Sequence, residues 1–452
     1  MSQPTTITRR QLFAQAAFAA AVLTPVGWLA PRQAGAASAQ AARPAPAIDF
    51  DAAVATAWFD ELLALIQATP GYSPPVAARA IGYAGVTLYE AIVAGMPEHH
   101  SMGGLLADLR ALPGHGRSAA YHWPTAANAA LAELLRALFP GAPAHRRQAV
   151  ERLEASVVVV APRSSRGRSI DHGRAIARAV YAWSATDGGH EGYLHNFPGG
   201  YLPPVGPGLW EPTAPGFLPA LQPLWGTNRT FLPAGGACDP GPPPAYSTDP
   251  ASACFGEALE VYTTVNALSD EQLAIALFWS DDPGNTATPP GHSISILTQM
   301  LRTRGASLAD AGEAYARLGI ALSDAFVACW RVKYAHNLLR PITYIRATID
   351  PAWGDPLPLV TPPFPEYTSG HSVQSAAAAA VLTAQLGEMA FVDHTHDSRG
   401  LVPRSFASFE AAAAEAAISR LYGGIHFRAA IDRGLSQGRC IGKRVAALPL
   451  RG

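Results

Sequence analysis

LADAGEAYARLGIALSDAFVACWRVKYAHNLLR, residues 308–340, carries apolar side chains at three- and four-residue spacing along its whole length, the pattern of a helix with one face in a core. The same period marks Ala52–Ala68, Pro75–Ala94, Thr125–Leu138, Arg146–Val160 and Arg174–Ala185 on its N-terminal side. It returns in Gly256–Val265, Ser269–Trp279, Ile294–Arg304, Ser372–Leu386 and Phe409–Tyr422. Alternating strand patterns bounded by hairpin turns are scarce. The chain therefore reads as all-α, a helical bundle architecture of two packed four-helix-type bundles. The expected halves are residues 45–196 and 251–452, joined by residues 197–250, which are crowded with Pro and Gly. So long a coil is either a wrapping arm that roofs a site or a plain linker.

Composition narrows the function classes. Of 452 residues, 33 Lys+Arg balance 34 Asp+Glu, which leaves no basic surplus for a nucleic-acid backbone. The N-terminus reads Thr8-Arg9-Arg10-Gln11-Leu12-Phe13, followed by an apolar run from Ala14 to Ala30. Small-residue cleavage options follow at Ala34-Gly35-Ala36 and Ala37-Ser38-Ala39, so residues 1–39 read as a twin-arginine signal peptide. The expectation is a protein exported to the periplasm or beyond. No later stretch reaches the roughly 18–20 uninterrupted apolar residues of a membrane span. Four cysteines make no disulfide scaffold. Cys238 and Cys254 are placed to staple the loop between them, while Cys329 and Cys440 fall in helical patterns and read as buried thiols.

Three separated segments carry the chemistry. In the first, Lys333 and Arg340 are seven residues apart, which places them on one helix face about 10 Å from each other, with Trp330 beside them. Pro341 should end or bend that helix at Arg340. In the second, Pro362-Pro363-Phe364-Pro365 forces extended chain before Thr368-Ser369-Gly370-His371. Ser369 is a natural N-cap, and the Gly370 N–H at a helix start suits an anion. In the third, Ser419 and Arg420 end a helix stopped by Gly423-Gly424, and His426 starts the next element. Three cations clustered without a guest would repel one another, so a bound oxyanion is the economical arrangement.

In this order and spacing the three segments resemble the signature of vanadium-dependent haloperoxidases and the related acid phosphatases, the type-2 phosphatidic-acid phosphatase superfamily. The resemblance is firm from Phe278 to Gly442. It implies one vanadate per chain, its oxygens held by Lys333, Arg340, Ser369, Gly370 and Arg420, and its metal bonded to His426. It implies His371 as the acid/base group and Lys333 as the cation that polarises the peroxide O–O bond. Asp282 resembles an aspartate that orients the last arginine, with Asp281 as a competing candidate. Trp330 and Phe364 match aromatic positions that flank a halide site. Two departures stand out. Thr368 replaces the usual proline, and Ala430 stands where the superfamily often carries an aspartate, four residues after the last histidine.

The implied reaction is oxidation of halide by hydrogen peroxide to a hypohalous-acid equivalent that halogenates small organic molecules. Iodide or bromide is favoured, with chloride left open. The alternative is a secreted acid phosphatase with a nucleophilic histidine, which the departure at Ala430 disfavours. A non-catalytic anion-binding helical protein is the third reading.

Overall fold

The computed structural model describes residues 45–452 apart from 115, 117–118, 159–162, 234–237 and 355–356, and residues 44–452 form one compact unit. The twin-arginine segment lies outside the described residues. In chain order the helices are α1 (Ala53–Ala68), α2 (Pro74–Ile92), α3 (Trp123–Leu138), α4 (Ala144–Val158), α5 (Arg163–Ser184), α6 (Ala253–Asn266) and α7 (Asp270–Phe278). They continue as α8 (Thr288–Thr303), α9 (Leu308–His336), α10 (Pro341–Thr348), α11 (Gly370–Leu386), α12 (Phe409–Tyr422) and α13 (Arg428–Ala446). Among the described residues the one sheet is an antiparallel pair, β1 (Phe391–Asp393) and β2 (Arg404–Phe406), with Phe391 opposite Phe406. The protein is all-α, as its periodicity requires.

Helix entrances follow local chemistry. A serine hydroxyl can accept one of the N–H groups that a first turn leaves free. Ser252, Ser269, Ser307, Ser369 and Ser408 each do so, two of them in reciprocal capping boxes with Gln272 and Asp310. Ser369 matters most, because its helix α11 opens directly onto the site.

Helix α9 is the central strut, buried around most of its circumference from Leu308 to Val327. It packs closely against α2, where a Cβ on Gly85 would stand 2.5 Å from the Tyr315 carbonyl oxygen. By length and composition Pro74–Gly95, which contains α2, is apolar enough to cross a membrane, which the sequence reading did not anticipate. The most apolar 18 residues of this segment are 94% buried inside the protein, as in a core helix. On the other side of α9 the Ala-rich α11 lies against α13. Gly434, Gly438 and Gly442 form a stripe there that meets Ser369, Val373 and Ala377 at backbone distance. This contact fixes the start of α11 relative to the start of α13, and the Ser369 N–H donates to the Ala430 carbonyl at 3.0 Å.

Three expectations need correction. Helix α9 ends at His336, where Asn337 turns left-handed at φ 47°, so Lys333 and Arg340 do not share a helix face. Arg340 instead caps α10, an element unseen in the sequence, with Pro341 at its first position. Cys238 pairs with Cys440 across a Cα–Cα distance of 5.6 Å, while Cys254 is a free buried thiol. The arm could not have revealed this from spacing, because its partner is 202 residues away.

The 197–250 segment wraps the helices. Leu209 bridges to Leu338, and the Leu221 N–H donates to the Pro363 carbonyl at 2.8 Å. The disulfide then ties its far end to α13. Replacing Cys238 and Cys440 together by serine should lower unfolding free energy by about 2–4 kcal/mol, measured by chemical denaturation of the oxidised protein against the variant.

Candidate active site

The folded chain brings the three sequence segments to one place. Lys333, in the last turn of α9, is fully buried and donates from Nζ to the Pro365 and Glu366 carbonyls, both at 2.9 Å. Arg340 is equally buried. Its Nε donates to the Phe364 carbonyl and its Nη1 to the Ile425 carbonyl, each at 2.8 Å, while Nη1 stands 3.3 Å from His426 Nε2. Arg420, 5% exposed in the last turn of α12, donates from Nη1 to the Trp279 carbonyl at 2.9 Å. Phe364 lies beneath two of these charges, its ring centroid 5.0 Å from Lys333 Nζ and 4.8 Å from the Arg340 guanidinium carbon.

Burial that the nearby carboxylates only partly offset shows in the proton affinities. It draws Lys333 down to about 7 and Arg340 to about 9, the latter further lowered by Arg420. Arg420 falls to about 10 through burial, partly offset by Asp282. Two guanidinium nitrogens, Arg340 Nη2 and Arg420 Nε, are buried with no hydrogen-bond partner. An orphaned charged donor inside a protein costs several kcal/mol, so a pair of them beside an imidazole requires an acceptor.

Both histidines are held neutral, His426 by burial and then by Arg340, His371 by burial and then by Arg420. Their tautomers follow from their partners. The His371 Nε2–H donates to the Trp279 carbonyl at 2.9 Å, which leaves Nδ1 as the basic nitrogen. The His426 Nδ1–H donates to Glu366 Oε1 at 2.8 Å, so the Nε2 lone pair points into the ring of cations.

Glu366 was missed in the sequence. It is fully buried, and the same oxygen also accepts the Phe427 N–H at 2.9 Å. Burial pushes its carboxyl up to about 7 against the pull of Lys333 and Arg340. It supplies, from the Pro-rich segment, the carboxylate that Ala430 lacks. The signal was present: a single acid between Pro365 and the Ser369 cap is carried to wherever that cap goes.

The remaining candidates separate by position. His371, Gly370, Arg420, His426, Trp330, Phe364 and Asp282 all line one cavity of about 340 Å³, with Lys333, Arg340 and Ser369 packed immediately behind. Asp282 is solvent-exposed and lies within electrostatic reach of Arg420. Asp281 is committed elsewhere, to His292 at 2.8 Å. His292 also meets Asp393 at 2.7 Å, and these two carboxylates hold its ring protonated, up to about 10, against the opposing effect of burial. Asp281, His292 and His396 offer ligand-type atoms within 4.8 Å of one another, in a cluster separate from the cation ring. His292 stacks on Trp279 at 4.5 Å and so bears on the residue whose carbonyl serves both His371 and Arg420.

Comparison with known proteins agrees with this geometry. Residues 313–450 match the family described as the VCPO second helical-bundle domain. A solved structure described as the first bacterial vanadium-dependent iodoperoxidase is 36% identical with a TM-score of 0.79, covering 89% of this chain and 97% of that one. A bacterial vanadium-dependent chloroperoxidase shares the fold at 16% identity in its apo form, with a TM-score of 0.61 over 86% of this chain and 99% of that one. A structure described as a holo-type bacterial vanadium-dependent chloroperoxidase gives 18% and 0.60, over 84% of this chain and 94% of that one. No curated protein matches the sequence. The chain belongs to the vanadium-dependent haloperoxidase family.

The donor set suits the family's cofactor. Vanadate is a small oxyanion, and the two orphaned guanidinium nitrogens and the Nε2 lone pair of a neutral imidazole, 3.3 Å from Arg340 Nη1, are the groups that would meet it. A carboxylate on the outer nitrogen of a metal-binding histidine typically contributes 10–100-fold to affinity. Glu366→Gln keeps an acceptor for both N–H groups and removes the charge. It should weaken vanadate binding by roughly tenfold or more, read by titrating the metal-free protein calorimetrically.

Proposed function

We propose that the protein oxidises halide with hydrogen peroxide, using one vanadate per chain held by Lys333, Arg340, Ser369, Gly370, Arg420 and His426. The observation that carries this reading is the ring of buried cations with orphaned donors around the lone pair of His426. Bound there, vanadate supplies a Lewis acid that activates peroxide toward attack by a nucleophile. The protein's residues do the rest. His371, neutral and with Nδ1 free, accepts a proton as peroxide binds and returns it as product leaves. Lys333, fixed by two carbonyls, would polarise the peroxide O–O bond as a point charge. Glu366 keeps the His426 ring in the tautomer that can bind metal. Trp330 and Phe364, 5.0 Å apart, give the halide an apolar wall suited to a large, weakly hydrated anion.

Iodide or bromide is the proposed halide, because both are more easily oxidised than chloride; the similarity to an iodoperoxidase supports iodide first. The product is a hypohalous-acid equivalent that halogenates electron-rich organic molecules. Export by the twin-arginine route is part of the proposal. The Arg9-Arg10 segment supports it, and the Cys238–Cys440 disulfide suits an oxidising compartment.

One observation favours a second reading. Glu366 restores the carboxylate–histidine pair that a phosphatase needs for a nucleophilic histidine, so the argument from Ala430 against that activity loses its force. The two readings part in a single assay. The vanadate-loaded protein should iodinate or brominate a phenolic dye in peroxide. Hydrolysis of p-nitrophenyl phosphate, with vanadate acting only as an inhibitor, would reverse the conclusion. His426→Ala should lose vanadate and halide oxidation together. His371→Ala should retain vanadate and turn over about 10²–10⁴-fold more slowly, seen by comparing metal content with steady-state rate.

A further inference from the structure

Three exposed large apolar side chains line the same cavity: Phe217 at 65% exposure, Leu218 at 48% and Val360 at 72%. Two lie on the wrapping arm and one on the segment leading to the Pro-rich wall. The same cavity is lined by Leu221 and Phe364 and by the polar side chains of His371, Arg420 and His426. Exposed apolar side chains beside a few polar groups suit a ligand groove, whereas a channel for water, peroxide and halide alone gains nothing from them. Volume argues likewise. A water's share of the liquid is about 30 Å³, and peroxide and halide are each of that order. The 340 Å³ cavity therefore has room for a ring-bearing molecule besides.

This lining is built rather than draped. The Leu221 carbonyl accepts from the Trp330 indole at 3.3 Å and the Tyr334 hydroxyl at 2.7 Å, pinning the arm to α9 beside Lys333. From that anchor the chain reaches back to Phe217, whose N–H donates to the Thr213 carbonyl at 2.9 Å. Phe217 sits at φ 45°, a left-handed conformation that a bulky residue adopts at a cost. An aromatic held there and exposed does not contribute to the core.

We propose that this cavity binds the organic acceptor, an apolar, electron-rich aromatic molecule, beside the cradle, so that halogen transfer takes place in the pocket and not from oxidant free in solution. This rests on the haloperoxidase reading. In the transfer the ring carbon forms a bond to halogen, the halogen–oxygen bond of the hypohalous-acid equivalent breaks, and the displaced ring proton leaves with the hydroxide as water.

A competition experiment tests it. Vanadate-loaded protein is given peroxide, halide and equal amounts of para-propylphenol and its chain-terminal sulfonate, whose rings are electronically alike. Reagent hypohalite on the same mixture fixes the ratio for free oxidant. Partial burial of the propyl chain predicts an enzymatic ratio shifted about tenfold toward the apolar phenol, with saturation in that phenol. The double variant Phe217→Ser/Leu218→Ser should move the ratio back toward that of the reagent. Should it fail to fold, Val360→Ser carries the same expectation. Active halide oxidation with the reagent's ratio overturns pocket transfer and leaves the haloperoxidase reading standing. No peroxide-dependent halide oxidation at all overturns both.

Discussion

Three positive side chains buried around one space constrain everything else in this protein. Charges of like sign removed from water raise the free energy of the fold unless something compensates. Glu366, a carboxylate buried beside the cluster, is bonded to His426 and to a main-chain N–H. Backbone carbonyls from four positions take up part of the donor capacity of Lys333 and Arg340. Arg340 Nη2 and Arg420 Nε remain without a partner, the two donors that an oxyanion would take up.

The helices deliver those charges because their ends meet. Lys333 closes α9, Arg340 opens α10, Ser369 opens α11, Arg420 closes α12 and His426 precedes α13. Element termini carry unpaired backbone groups and allow sharp changes of direction, so a site made of them can gather residues from distant sequence. Small-residue packing between α11 and α13 sets the spacing. Without Gly434 and Gly438 the Ser369 cap and the His426 ring would stand farther apart.

Much of this was legible in the sequence. Apolar periodicity gave the class and most helices, and α12 has the bounds that its pattern predicts. The cation and histidine positions were readable because each sits beside a strong local signal, Pro341, Ser369 or Gly423-Gly424. What escaped depends on tertiary contact. Helix α13 escaped although its apolar stripe is sharply periodic, because its sequence is on average polar and marked by glycines. The end of α9 is set by Asn337, which turns left-handed where the arm's Trp210 N–H takes its carbonyl at 2.7 Å. Glu366 looked like one acid among prolines until the fold placed it behind His426. The cysteine pairing joins an arm to a helix and leaves no trace in spacing.

The Trp279 carbonyl accepts two donors at 2.9 Å, one from His371 and one from Arg420. A proton-handling group and an oxyanion-holding group thus share a single fulcrum. Tilting that peptide would move both at once, so injuries to the two residues should compound non-additively rather than sum. The stacked His292, clasped by two aspartates, stiffens the hinge on which both functions turn.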